Sequence, residues 1–98
     1  MRYEILDVSK HYHFFIDYPK PPTLEKIHAL RIGSWVQLLF HQHGYRNEKL
    51  WICITNIYKK LFFRGTVYSV PKYLTNVEPS IAVVFQHYYI IEIFTKDD

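Results

Sequence analysis

The 98-residue chain has three glycines, one cysteine and one methionine, and is poor in the residues that cross-link a fold or cradle a ligand. A single thiol, Cys53, excludes an intrachain disulfide and fits a reducing compartment. Gly33, Gly44 and Gly65 are scattered, so no glycine-rich loop can hold a phosphate, and no Gly-x-Ser-x-Gly elbow is present. No apolar run approaches the roughly 18 residues that a membrane-spanning helix needs. The first residues place Glu4 and Asp7 inside an apolar stretch without a small-residue cleavage site, which does not read as a signal peptide. The expectation is a soluble, cytoplasmic protein with no membrane partner. A large excess of one charge is missing too: 12 Lys and Arg face 9 Asp and Glu, a net +3. A dedicated nucleic-acid binder clusters its positive charge, and here the clustering is weak. Residues 49–78 hold Lys49, Lys59, Lys60, Arg64 and Lys72 against Glu78, and the tail turns acidic with Glu92, Asp97 and Asp98.

Apolar and aromatic residues are abundant, at 49% hydrophobic and 18% aromatic. Disorder needs the opposite composition, and a chain of this length buries roughly 60 to 70% of its unfolded surface in one core. With no Gly/Ser-rich linker, residues 1–98 read as one domain. Its pattern is a series of short runs of Ile, Val, Phe, Tyr and Trp separated by turn residues, which predicts a mostly β fold. Tyr3 to Val8 reads as a first strand, and His11 to Tyr18 as a second or its continuation. Pro19, Pro21 and Pro22 force an extended path. Thr23 then caps one short helix, about 23–30, with Leu24, Ile27 and Leu30 or His28 at helical spacing.

Trp35 to Phe40 begins the barrel proper, with Val36, Leu38 and Phe40 on the better core face. After a polar loop, His41 to Glu48, the residues Leu50, Ile52 and Ile54 point inward and alternate with Trp51, Cys53 and Thr55. Lys59 and Lys60 mark a tight turn into a strand from Leu61 to Val70, where Phe63, Gly65 and Val67 oppose Phe62, Arg64, Thr66 and Tyr68. A glycine inside a strand signals a bulge, a bend or a close backbone approach. Pro71 and Pro79 bracket a connection with room for one helical turn at Tyr73 to Val77. Two last strands, Ile81 to Gln86 and Tyr88 to Phe94, are nearly continuous, which predicts burial on both sides or a sharp bend near His87. Five to six strands with one short helix predict a small SH3-like bent antiparallel barrel, because closure covers edges that otherwise pair with other chains. No dozen-residue helix alternates with the strands, so a parallel doubly wound sheet is excluded.

The order Leu30, Gly33, Val36, Phe40, then Glu48-Lys49-Leu50-Trp51-Ile52, then Gly65-Thr66-Val67, Pro71, and finally Val83, Phe85, His87 and Ile90 or Ile91 resembles a family over about residues 22–93. It is a family of small bacterial β-barrel proteins of unknown function, with the pattern Gly-Asp-x-Val, Glu-Arg-x-Trp-Val, Gly-x-Val and Val-x-Phe-x-His-x-Ile. Ser34 replaces the first Asp, Ser69-Val70-Pro71 lacks the family's Asn, and Pro79-Ser80 stands where a second Gly-Asp belongs. The resemblance therefore implies a shared barrel more than a shared activity, and it brings no catalytic residues.

Chemistry has few footholds. His11 with His13, and His41 with His43, stand two apart, which on a strand places both rings on one side and could offer four nitrogens to zinc. Nothing in the sequence makes the pairs converge, so they read as exposed loop and strand-end histidines, and no metal or cofactor is expected. Cys53, between Ile52 and Ile54, reads as a small buried apolar residue rather than a thiolate nucleophile. Glu4, Asp7 and Glu48 have no second carboxylate placed to share proton transfer. The expectation is that the protein is not an enzyme.

The candidate binding surface is Trp35, Trp51, Phe62, Arg64, Tyr68, Lys59 and Lys60. An exposed aromatic patch that docks a protein partner ranks first, since it needs no absent motif and tolerates a low net charge. The alternative is RNA or DNA stacked on the aromatic and basic residues of 49–68. A homodimer through a strand edge is compatible with either.

Overall fold

Period-two alternation decides which side chains fill the interior. The computed structural model describes residues 3–7, 21–75 and 77–95. Six antiparallel strands run β1 Glu4–Ile5, β2 Trp35–His41, β3 Glu48–Tyr58, β4 Phe62–Val67, β5 Ala82–Gln86 and β6 Ile90–Ile93, with helix α1, Leu24–His28, before β2. The inward positions read from the sequence are buried: Val36, Leu38 and Phe40 in β2, Leu50, Ile52 and Ile54 in β3, and Phe63 and Val67 in β4. Val83 and Phe85 of β5 join them, and Phe63 stacks on Phe85 with ring centres 5.6 Å apart. Ile27 and Leu30 from the helical segment, with Leu74 and Val77 from the connection before β5, complete the same core.

The strand order is β1-β2-β3-β4-β5, and β6 returns to pair with β2. β2 gives one edge to β3 and divides the other between β6, at Val36 to Leu38, and β1, at Phe40 and His41. A 3-10 turn at His87–Tyr89 carries the chain from β5 to β6, so the sheet bends into a nearly closed barrel. The hydrophobic run 81–94 is thus a sharp bend at His87, and not a strand covered on both sides, because Val84 faces solvent. β2 is the strand covered on both faces: Leu39 packs with Ile91 and Leu6 in a second, small cluster.

Several expectations change in detail. The helix is five residues long and capped by Thr23, whose Oγ1 accepts the Lys26 N–H, but Leu24 is 55% exposed and does not belong to the apolar face. One turn of helix brings only Ile27 down onto the barrel. The first strand is only Glu4–Ile5, with the Leu6 N–H adding one bond to the Leu39 carbonyl at 2.9 Å; Val8, and the whole segment His11 to Tyr18, lie outside the described residues. β4 ends at Val67 instead of Val70, and the described residues of 73–77 form no helical turn.

The β3–β4 turn is a 3-10 turn at Lys59–Leu61 in which Lys60 and Leu61 take φ of 62° and 56°. Two consecutive non-glycine residues in the left-handed region cost about 1 kcal/mol each or more. Lys60 is exposed, so Lys60→Gly relieves strain without touching the core. The greater freedom of the unfolded glycine offsets part of that gain. The expected net gain is about 0.5 kcal/mol, a rise in Tm of roughly 2 to 4 °C. An unchanged or lower Tm in calorimetry rules out strain at Lys60.

Candidate functional site

The indoles of Trp35 and Trp51 occupy the outward face of β2 and β3. The register Trp35↔Cys53 and Gln37↔Trp51 makes them diagonal neighbours across the strand pair. Just after β4, the Tyr68 N–H donates to the Trp51 carbonyl at 2.8 Å, and the Tyr68 ring rests against Trp35 with centres 4.4 Å apart. Just after β6, the Phe94 N–H donates to the Trp35 carbonyl at 3.0 Å. The Phe94 ring stands edge-on to Trp51 at 6.0 Å and lies 6.4 Å from Trp35. Ser69 Oγ accepts the Trp51 N–H at 2.9 Å.

Together with Val70 these residues line an open groove of about 620 Å³ whose lining contains no charged side chain. Tyr68, Val70 and Phe94 are 62%, 77% and 56% exposed, while both tryptophans are half-buried. So much adjacent exposed apolar surface carries a hydration cost. The rings contact one another in tilted and edge-on geometries, which restrict each other's side-chain freedom.

Of the residues singled out in the sequence, Trp35, Trp51 and Tyr68 come together. Phe62, Arg64, Lys59 and Lys60 do not join them. Arg64 pairs with Asn56 and Val84, and Phe62 packs its ring on Tyr58 at 5.7 Å. Four and six residues before Tyr68, they lie roughly 13 and 20 Å along the strand toward the turn that carries the two lysines. Phe94, Ser69 and Val70 are the groove residues that sequence reading missed. Phe94 ends an almost unbroken hydrophobic run, and only the pairing of β6 with β2 brings it to Trp35.

The connection after β4 owes its path to two polar side chains. The Glu48 carboxylate accepts the backbone N–H groups of Lys72, Tyr73 and Leu74, the last two at 2.9 and 3.3 Å. The buried amide of Gln42 donates to Thr75 Oγ1 at 2.8 Å and accepts the Thr75 N–H at 3.0 Å. These bonds satisfy four successive backbone donors of the connection, Lys72 to Thr75, and they fix the segment whose start, Ser69 and Val70, walls the groove.

Other candidates are dispersed. His41 Nδ1 lies 2.7 Å from Asn47 Oδ1, and His43 is exposed. His11 and His13 lie outside the described residues, among which no three His, Cys, Asp or Glu side chains gather as a metal would require. Cys53 is half-buried on the outer face opposite Trp35, and not a core residue, because the parity that sends Ile52 and Ile54 inward sends it out. Burial, then the neighbouring Tyr88, Asp7 and Glu4, hold the Tyr89 phenol above its ordinary pKa, away from the groove. No helix among the described residues is long and apolar enough to cross a membrane. No family model matches the chain, and no curated protein or solved structure matches it.

Proposed function

We propose that this barrel is a non-enzymatic protein-interaction module, accessory or regulatory in role, that docks a protein partner through the groove of Trp35, Trp51, Tyr68 and Phe94. The observation that carries this reading is the convergence of four aromatic rings, in or just after the four strands β2, β3, β4 and β6, on one open, uncharged groove. Trp and Tyr dominate binding energies where they sit in a water-excluding centre. Assignment to the small bacterial family and to an SH3-like type of barrel belongs to the same proposal, supported by the bent closure through β6 and by the spacing of the matched residues; placement in the cytoplasm is supported by the single thiol, Cys53. The alternative, nucleic acid held by residues 49–68, draws on side chains that the fold divides between the groove and the far turn.

The test is capture of a partner by cross-linking from the cells of origin, followed by reconstitution with purified components. Trp51→Ala is expected to weaken that complex at least about 30-fold, equivalent to roughly 2 kcal/mol, while the circular dichroism spectrum stays that of the parent. Failure to reconstitute any complex that depends on Trp51 sinks the reading. Binding to RNA or DNA that falls steeply with salt and ignores Trp51 replaces it with the alternative.

A further inference from the structure

We infer that the aromatic groove and a pair of cations beside it, Arg46 and Lys72, form one composite surface whose partner is a peptide segment with an apolar anchor next to carboxylates. The inference rests on the groove reading and adds the chemistry of the ligand. Arg46 stacks its guanidinium over the Tyr73 ring at 4.7 Å and donates through Nη1 to the Tyr73 hydroxyl at 3.4 Å. Lys72 brings its ammonium to 5.8 Å from the centre of the same ring. Neither cation forms an ion pair with a carboxylate among the described residues. The Glu48 carboxylate is engaged by three backbone N–H groups of the connection.

Two like charges gathered on one ring repel, and the ring's negative face offsets only part of that. An incoming carboxylate relieves the rest, and the four other N–H donors of Arg46 and the ammonium of Lys72 give it partners. Lys72 stands two residues after Val70, which lines the groove. Trp51 is tied to Ser69, and Glu48 to residues 72–74, so residues 69–74 run beside Glu48–Trp51 in the opposite sense. Three strand residues separate the two ends, about 10 Å, which an extended peptide spans in three or four residues. A nucleic acid brings a phosphate with every nucleotide, and the groove lining holds no cation to meet them. A peptide that is apolar at one end and acidic at the other matches both parts.

The experiment is selection of a random peptide library displayed on phage against the full chain, with affinities of the selected peptides measured by fluorescence polarisation. Peptides that depend on Trp51 are expected to carry Asp or Glu three or four residues from an aromatic or aliphatic anchor. The double variant Arg46→Glu, Lys72→Glu is expected to lower their affinity at least about tenfold, with a matching loss at high salt for the parent. Both positions are exposed, and an unchanged Tm certifies the fold. Peptides that need Trp51 but show no acidic preference and ignore the double variant overturn this inference and leave the groove reading intact. Absence of any Trp51-dependent peptide removes the groove reading itself and this inference with it. A uridine oligonucleotide that binds through Arg46 and Lys72, with no acidic peptide selected, assigns the cations to nucleic acid and overturns it as well.

Discussion

Gly65→Ala is expected to destabilise the protein by about 3 kcal/mol, the upper end of what overpacking costs, lowering Tm by roughly 12 to 24 °C. A Cβ built at this position sits 2.5 Å from Ile52 Cγ2, 2.6 Å from the Cys53 carbonyl oxygen and 3.2 Å from its carbon. The methyl belongs to a fully buried side chain and has no space to retreat. The carbonyl is β3 backbone, so relief requires the two strands to part. The local pairing explains why they lie so close. Ile54 faces Gly65 and Asn56 faces Arg64, which leaves Thr55 as an extra residue and bends β3 over β4. Gly33→Ala and Gly44→Ala are the controls, since their φ of +98° and +85° strain any side chain but nothing lies within 4 Å of an added Cβ. They are expected to cost about 1 kcal/mol each. Urea unfolding distinguishes the two causes, and a Gly65 effect no larger than that of the controls removes the close approach as the reason for glycine.

The same position shows what the sequence could disclose. A glycine in an otherwise β-branched and aromatic strand announces a bulge, bend or close approach, and the structure contains the bulge and the approach together. Alternation likewise set the inward faces of β2, β3 and β4, because a strand's period admits only two faces. It failed where local pattern does not decide. Leu24 has helical spacing with Ile27, yet a five-residue helix has too little length for both to reach the core. Between Pro71 and Pro79 the expected helical turn is absent from the described residues, and the path is set instead by Gln42 and Glu48, polar side chains more than twenty residues upstream that no local pattern links to this connection.

The groove was legible by half for a related reason. Parity along a strand fixes which face a side chain takes, and so it grouped Trp51 with Tyr68. It says nothing about where along a bent sheet the residues fall, so Arg64 and Phe62 shared the face and still lie far from the tryptophans. Cys53 shows the cost of reading neighbours in place of parity, since flanking isoleucines suggested burial while its own phase points outward. Phe94 depends on barrel closure, a contact between the start of β2 and the residue after β6 that no local signal encodes.

Glu48→Ala is expected to cost about 2 kcal/mol, the scale of hydrogen bonds to a charged acceptor, and to lower Tm by roughly 8 to 16 °C. Glu48 does not line the groove, yet three consecutive N–H groups lose their acceptor at once. The exposed part of the connection then takes water as partner, which keeps the cost below that of orphaning three fully buried donors. Glu48→Gln retains one carbonyl oxygen without the charge, so its Tm is expected between that of the parent and that of Glu48→Ala. Because Ser69 and Val70 begin the tethered segment, loosening residues 72–74 also frees one wall of the groove, and partner affinity is expected to fall along with stability. Amide hydrogen exchange separates the two effects: faster exchange at residues 72–74 with the β3 and β4 amides still protected means local release, whereas uniform acceleration reports global destabilisation. Unaltered protection at 72–74 in Glu48→Ala means that other contacts hold the connection, and the groove wall then owes nothing to Glu48.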